Sequence, residues 1–137
     1  MKKVIKIKDK SYSFQLTDPV FSTALFVIVN ISFEKMGIKV KKKFPDFELL
    51  EKYKDSNGLF FSHYDEKTNL HYPILWVRKF DWCIKSQEVF VHELAHFIFD
   101  ELCKKNMPSS ENNEGFCYLF GYYFGECWKK LKRFYVL

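Results

Sequence analysis

The stretch "FVHELAHFIF", residues 90–99, decides how the rest of the chain is understood. It is apolar at helical spacing, and His92 and His96 stand four positions apart, so on a helix their imidazoles lie on one face, one turn from each other. That spacing lets both rings reach one tetrahedral zinc ion at about 2.0–2.1 Å. Glu93 projects beside the pair and not between the rings, where it can take a proton from a water without ligating the metal. The competing view is an apolar helix whose two histidines sit on the domain surface. A third ligand in a suitable place decides between them.

"SSENNEGFCYLFGYYFGECW", residues 109–128, offers that ligand. Glu114 falls eighteen positions after His96, in the first turns of the next helix. Its helix stripe continues through Tyr118, Gly121 and Gly125, and glycines on that stripe are expected to let the His-Glu-x-x-His helix approach closely. Glu111 is the rival ligand. An acidic residue in a helix's first turn is also favoured simply by the helix dipole.

"HELAH" followed by "NNEGFCYLF" resembles the gluzincin metallopeptidases, whose third ligand is a Glu on the helix after the motif helix. The short chain, the strands directly before "SQEVFVHELAH" and the small Gly115 after Glu114 are similar to the compact ImmA/IrrE-type peptidases and to the stand-alone minimal gluzincins. This resemblance implies His92, His96 and Glu114 as zinc ligands and Glu93 as catalytic base. Larger gluzincins often place an Asp four residues after the third ligand; here that position is Tyr118. Asp100, on the motif face, is the candidate to orient a histidine instead. For the oxyanion, the candidates are His71, Tyr72, His63, Tyr118 and Tyr122, with none singled out by spacing.

Working outward, residues 3–16 alternate apolar and polar around Asp9-Lys10, which suggests a strand pair or an extended arm. Asp18-Pro19 starts and Gly37 stops a segment, "PVFSTALFVIVNISF" (19–33) at its heart, that is expected to be a core helix; it is too short to span a membrane. "IKVKKKF" (38–44) follows as a strand, "PDFELLEKYK" (45–54) as a short amphipathic helix and "DSNG" (55–58) as a turn. "LFFSHY" (59–64) and "LHYPILWV" (70–77) are strands joined by "DEKTN", and Pro73 points to a sheet edge for the second, or to a strand that begins there. Ser86 is expected to cap a helix to about Lys105, and a last helix runs from about Ser110 to Arg133.

These elements make a single α+β domain over residues 1–137. By the resemblance it is zincin-like: a small, mostly antiparallel sheet with an edge strand above the active-site helix, and a C-terminal helix carrying the third ligand. A peptide would bind by adding itself to that edge strand. The composition is globular, 47% hydrophobic and 20% aromatic. The net charge of +5 concentrates in "IKVKKKF" and "WKKLKRF", understood as solvated surface and a basic helix end rather than as nucleic-acid contacts. The N-terminus lacks the apolar run of a signal peptide, and Cys83, Cys103, Cys117 and Cys127 show no paired spacing. Reduced core thiols in a cytoplasmic protein are therefore expected. The apolar tail "RFYVL" (133–137) is expected to dock on the core, with a latency-conferring plug in the cleft as the alternative.

The function implied is a zinc-dependent peptidase acting on intracellular proteins, with Zn²⁺ as cofactor and peptide or protein as partner. The alternative is a metal-stabilised binding or regulatory protein on a zincin scaffold, without proteolytic activity.

Overall fold

The computed structural model describes residues 11–105 and 113–132. In chain order it contains β1 (Tyr12–Thr17), β2 (Ala24–Val29), α1 (Phe33–Lys43), a 3₁₀ turn (Glu51–Tyr53), β3 (Gly58–Asp65), β4 (Leu70–Val77), α2 (Ile84–Lys104) and α3 (Asn113–Leu131). The four strands form one sheet in the order β1-β2-β4-β3. The outer pairings are antiparallel and the central pairing of β2 with β4 is parallel, so the sheet is mixed. The α+β class holds.

The sheet is covered on both faces. Leu25, Val27, Val29, Leu75 and Val77 pack with Phe90, Leu94, Phe97 and Ile98 of α2 and with Leu119, Tyr123 and Cys127 of α3. Ile28, Ile74 and Trp76 face the other way, against Phe33, Met36, Val40 and Phe44. Strand β2 is therefore apolar on both sides, and a strand buried on both faces shows no alternation.

That burial is why residues 19–43 depart from the expected helix followed by a strand. A short apolar run has no periodicity to distinguish a doubly buried strand from a core helix, and here β-branched Val27, Ile28 and Val29 lie within the strand. Asp18 does terminate a backbone segment, but its carboxylate accepts from Phe21 N at 2.5 Å and Thr23 N at 3.1 Å, closing the turn between β1 and β2. The helix lies later. Ser32 caps it by accepting from Lys35 N at 3.2 Å, and Phe33, Met36, Gly37 and Val40 form its buried stripe. Lysines 41–43 fall in its last turn, where cations suit the dipole. Most of the expected helix over 45–54 is irregular chain, with only Glu51–Tyr53 wound as 3₁₀.

Strands β3 and β4 lie where the sequence places them, but their roles are exchanged. β4 is central and β3 is the edge. Pro73 pairs only with Ser62, because β2 lies alongside β4 from Ile74 onward. The proline marks the end of the β2 ladder and not an edge strand. Of the four cysteines only Cys127 is buried; Cys83, Cys103 and Cys117 are exposed free thiols, contrary to an all-core placement. Among the described residues no helix is long and apolar enough to cross a membrane. Of the alternating segment 3–16, residues 12–16 lie in β1, which pairs with β2; its residues 3–10, Glu111 and the tail 133–137 lie outside the described residues.

Candidate functional site

Helix α2 is anchored at its start by a small polar knot. Its cap is Cys83, not Ser86: the Cys83 sulfur accepts from Ser86 N at 3.4 Å. Ser86 instead turns its hydroxyl back, donating to Asp81 Oδ1 at 2.6 Å, and Cys83 N donates to the same oxygen at 3.1 Å. The Cys83 side chain beside it first, then the Ser86 hydroxyl, with the Cys83 N–H adding to them, hold the Asp81 carboxyl well below the usual carboxylate range.

From that start the helix presents Phe90, Leu94, Phe97 and Ile98 inward and leaves His92 and His96 exposed. Their rings cross at 80° with centroids 4.7 Å apart, and the two Nε2 atoms are 3.1 Å from each other. Two ring nitrogens this close share one electrophile between them, either a proton or a cation. Two bonds of 2.0–2.1 Å meeting at a tetrahedral angle separate their nitrogens by about 3.3–3.4 Å. The imidazole pair thus fits two corners of a zinc site.

Glu93, between them in sequence, is turned inward and 9% exposed. It lies under the edge strand: a β-carbon at Gly58 would stand 3.2 Å from Glu93 Cγ, the Phe60 backbone N–H favours its charged form, and the Phe60 ring packs on Phe97 at 5.8 Å. Burial pushes the Glu93 carboxyl above its ordinary value, while His92, His96 and the Phe60 N–H pull it back. A carboxylate beside two imidazoles and screened from bulk water is equipped to move a proton.

Glu114 is exposed, at the start of α3. The stripe it shares with Tyr118, Gly121 and Gly125 does not face α2: a β-carbon added at either glycine would meet nothing within 4 Å. The packed face is the opposite one, through Leu119, Tyr123, Cys127 and Leu131, about half a turn around the helix. The sequence allowed either face, because large aromatics and glycines both lie at helical spacing, and burial of Phe and Leu outweighs the close approach that glycine permits. The opening of α3 does come near the histidine face, since Phe116 lies against Phe99 with centroids 5.0 Å apart. Among the described residues no group of three His, Cys, Asp or Glu side chains is gathered to hold a metal.

The remaining candidates lie elsewhere. Tyr118 stacks on Tyr122, whose hydroxyl donates to Thr17 O at 2.9 Å, so both stand towards β1, across the sheet from β3. His71 is exposed at the far end of the β3–β4 hairpin, its ring 5.0 Å from that of Tyr64. His63 and Tyr72 belong to the α1 face, where His63 Nε2 is 3.2 Å from Asp46 Oδ1 and both rings pack on Phe44. Asp100 pairs with Lys104 at 2.9 Å, and Lys104 in turn donates to Ser62 Oγ at 2.9 Å, fixing α2 to β3. Gly58 and Phe60, which wall the site, were not singled out by the sequence; the Asn-Gly step of "DSNG" is the one signal there, and it suggests only a turn.

No protein-family model, curated protein or solved structure matches this chain.

Proposed function

We propose that this chain is a zinc-dependent peptidase acting on peptide bonds of intracellular proteins. The observation that carries the proposal is the convergence of His92 Nε2 and His96 Nε2 to 3.1 Å on the same helical turns as the buried Glu93. His92 and His96 supply two ligands and Glu114 the third, which requires the opening turn of α3 to carry Glu114 to the imidazoles when metal binds. Zinc held there supplies Lewis acidity toward a water and toward a peptide carbonyl. Glu93 takes the proton of the attacking water as the new C–O bond forms, and delivers it to the departing amine as the C–N bond breaks. Strand β3, the sheet edge among the described residues, offers backbone groups along which a substrate segment can lie.

A second reading, a metal-stabilised binding or regulatory protein without proteolysis, is favoured by the exposed position of Glu114 on the outward stripe of α3. Glu93→Gln separates the two. In the peptidase the variant keeps its zinc and its melting temperature and loses hydrolysis of a peptide mixture by about 10²-fold or more. Turnover that survives the substitution removes Glu93 as base. Zinc-loaded wild type that hydrolyses nothing in the mixture supports the second reading.

A further inference from the structure

We infer that Gly58, the first residue of the edge strand, is a positioning residue for Glu93, and that its lack of a side chain is what lets β3 lie close enough to α2 to hold the base. The inference rests on the peptidase proposal. A β-carbon at Gly58 would stand 2.5 Å from Val89 Cγ1, 3.2 Å from Glu93 Cγ and 3.2 Å from the carbonyl oxygen of Trp76. Backbone conformation is not what demands glycine, because no described glycine has positive φ. The demand is for space.

None of the three neighbours yields in a neutral way. The Trp76 carbonyl belongs to β4, a central strand paired on both sides. Val89 is β-branched on a helix, where one rotamer dominates and the methyl cannot swing aside. Glu93 is the flexible partner, so its stem can be displaced to ease the 3.2 Å contact, but the 2.5 Å contact with Val89 is relieved by lifting β3 from α2. Lifting the strand draws the β3 backbone away from the Glu93 side chain that it now holds in close contact. Displacing the stem moves the carboxylate relative to His92 and His96. Both outcomes act on the base, while neither exposed imidazole is among the three atoms nearest to a β-carbon at position 58.

The test uses the zinc-loaded full chain and a quenched fluorescent peptide selected from a library by wild-type turnover. Wild type, Gly58→Ala, Val89→Ala and the double variant are compared for zinc content, melting temperature, kcat and KM. Gly58→Ala is expected to keep its zinc and a KM within about twofold, and to lose at least about tenfold in kcat, since small misplacement of a reacting group is costly. Val89→Ala removes the nearer clash, so the double variant should regain melting temperature yet remain slow, because the contact with Glu93 persists. Recovery of kcat together with melting temperature would show that Gly58 serves packing alone and would overturn the inference. So would zinc loss in proportion to activity, or unchanged kcat in a folded Gly58→Ala. A zinc-loaded wild type that turns over no peptide fails the peptidase proposal itself and takes this inference with it, a result distinct from an active wild type indifferent to position 58.

Discussion

His92 and His96 hold their Nε2 atoms 3.1 Å apart on an exposed helix face, with ring planes crossing at 80°. Neither ring is held there by burial, since both are exposed. Each therefore depends on the other for a partner, and removing one leaves a lone surface imidazole with little chelating power. His96→Ala is expected to reduce retained zinc at least about tenfold from a wild-type content near one per chain. Metal-free melting should change little, because exposed substitutions away from special features stay within about 0.5 kcal/mol. Elemental mass spectrometry on both proteins purified together checks it. Zinc absent from wild type even after metal is added back would make these two surface histidines sharing a proton.

The third ligand is tested by pairing Glu114→Gln with Glu111→Gln. If Glu114 closes the site, its amide lowers zinc affinity by a factor comparable to that of His96→Ala, and the Glu111 variant binds as wild type. Competition against a chromogenic chelator measures both. The reverse pattern assigns the role to Glu111, and two unaffected variants leave a two-histidine site that favours the binding-protein reading.

The parts of this molecule that were legible in its sequence are those with one polar face. Helix α2 could be placed because His92 and His96 interrupt an apolar helical pattern, and β3 and β4 because a polar loop separates them. Residues 19–43 were not legible in the same way. Strand β2 has no polar face, and α1 hides its helical stripe of Phe33, Met36 and Val40 under a run of lysines that also alternates like a strand. Pro73 was ambiguous for a different reason: a proline marks an unpaired backbone position, and here that position is where the β2 ladder stops and not the sheet's edge. For Glu114 the residue types were right for a ligand, but which face of α3 packs depends on the summed burial of aromatics, a tertiary quantity that spacing alone does not contain.

The knot at the start of α2 carries a pH dependence of known sign. Asp81 has its carboxyl lowered by bonds from Cys83 and Ser86, so the native state binds fewer protons than the unfolded chain below the ordinary value of 3.8. Stability from this group is fully present above about pH 3.8 and is lost as pH falls toward the lowered native value. Asp81→Asn is therefore expected to melt lower than wild type at neutral pH, with the gap narrowing progressively as the solution is acidified below that point. The side chain is 40% exposed, so solvent screening keeps the effect modest. Thermal melts of both proteins across pH 2–7 decide it, and a gap that stays constant would mean that the Asp81 charge contributes nothing.

Tyr123 packs its ring on Phe97 of α2 at 4.9 Å and turns its hydroxyl to the β1–β2 turn. Its buried hydroxyl lies 2.8 Å from Asp18 Oδ1 and 2.6 Å from Thr23 O, and Thr23 Oγ1 donates to the buried Glu101 at 3.0 Å. One phenol thus ties α3 to the β1–β2 turn, which is tied in turn to the last turns of α2. Burial, with the bond to Asp18 next, pushes the Tyr123 hydroxyl far above its ordinary value, so it remains a donor at any working pH. Tyr123→Phe keeps the shape and deletes the donor, leaving the 1% exposed Asp18 with only its backbone partners. The expected cost is about 1.5–3 kcal/mol, the range for hydrogen bonds to charged groups. Asp18→Asn should cost less in the Tyr123→Phe background than alone, because the two substitutions remove the same bond. Zinc content should be unaffected by either, since the bond removed lies at the β1–β2 turn and both substitutions leave the ring at position 123 on Phe97. Denaturant melts of the four proteins measure the coupling; additive costs would show that the phenol and the carboxylate do not depend on each other.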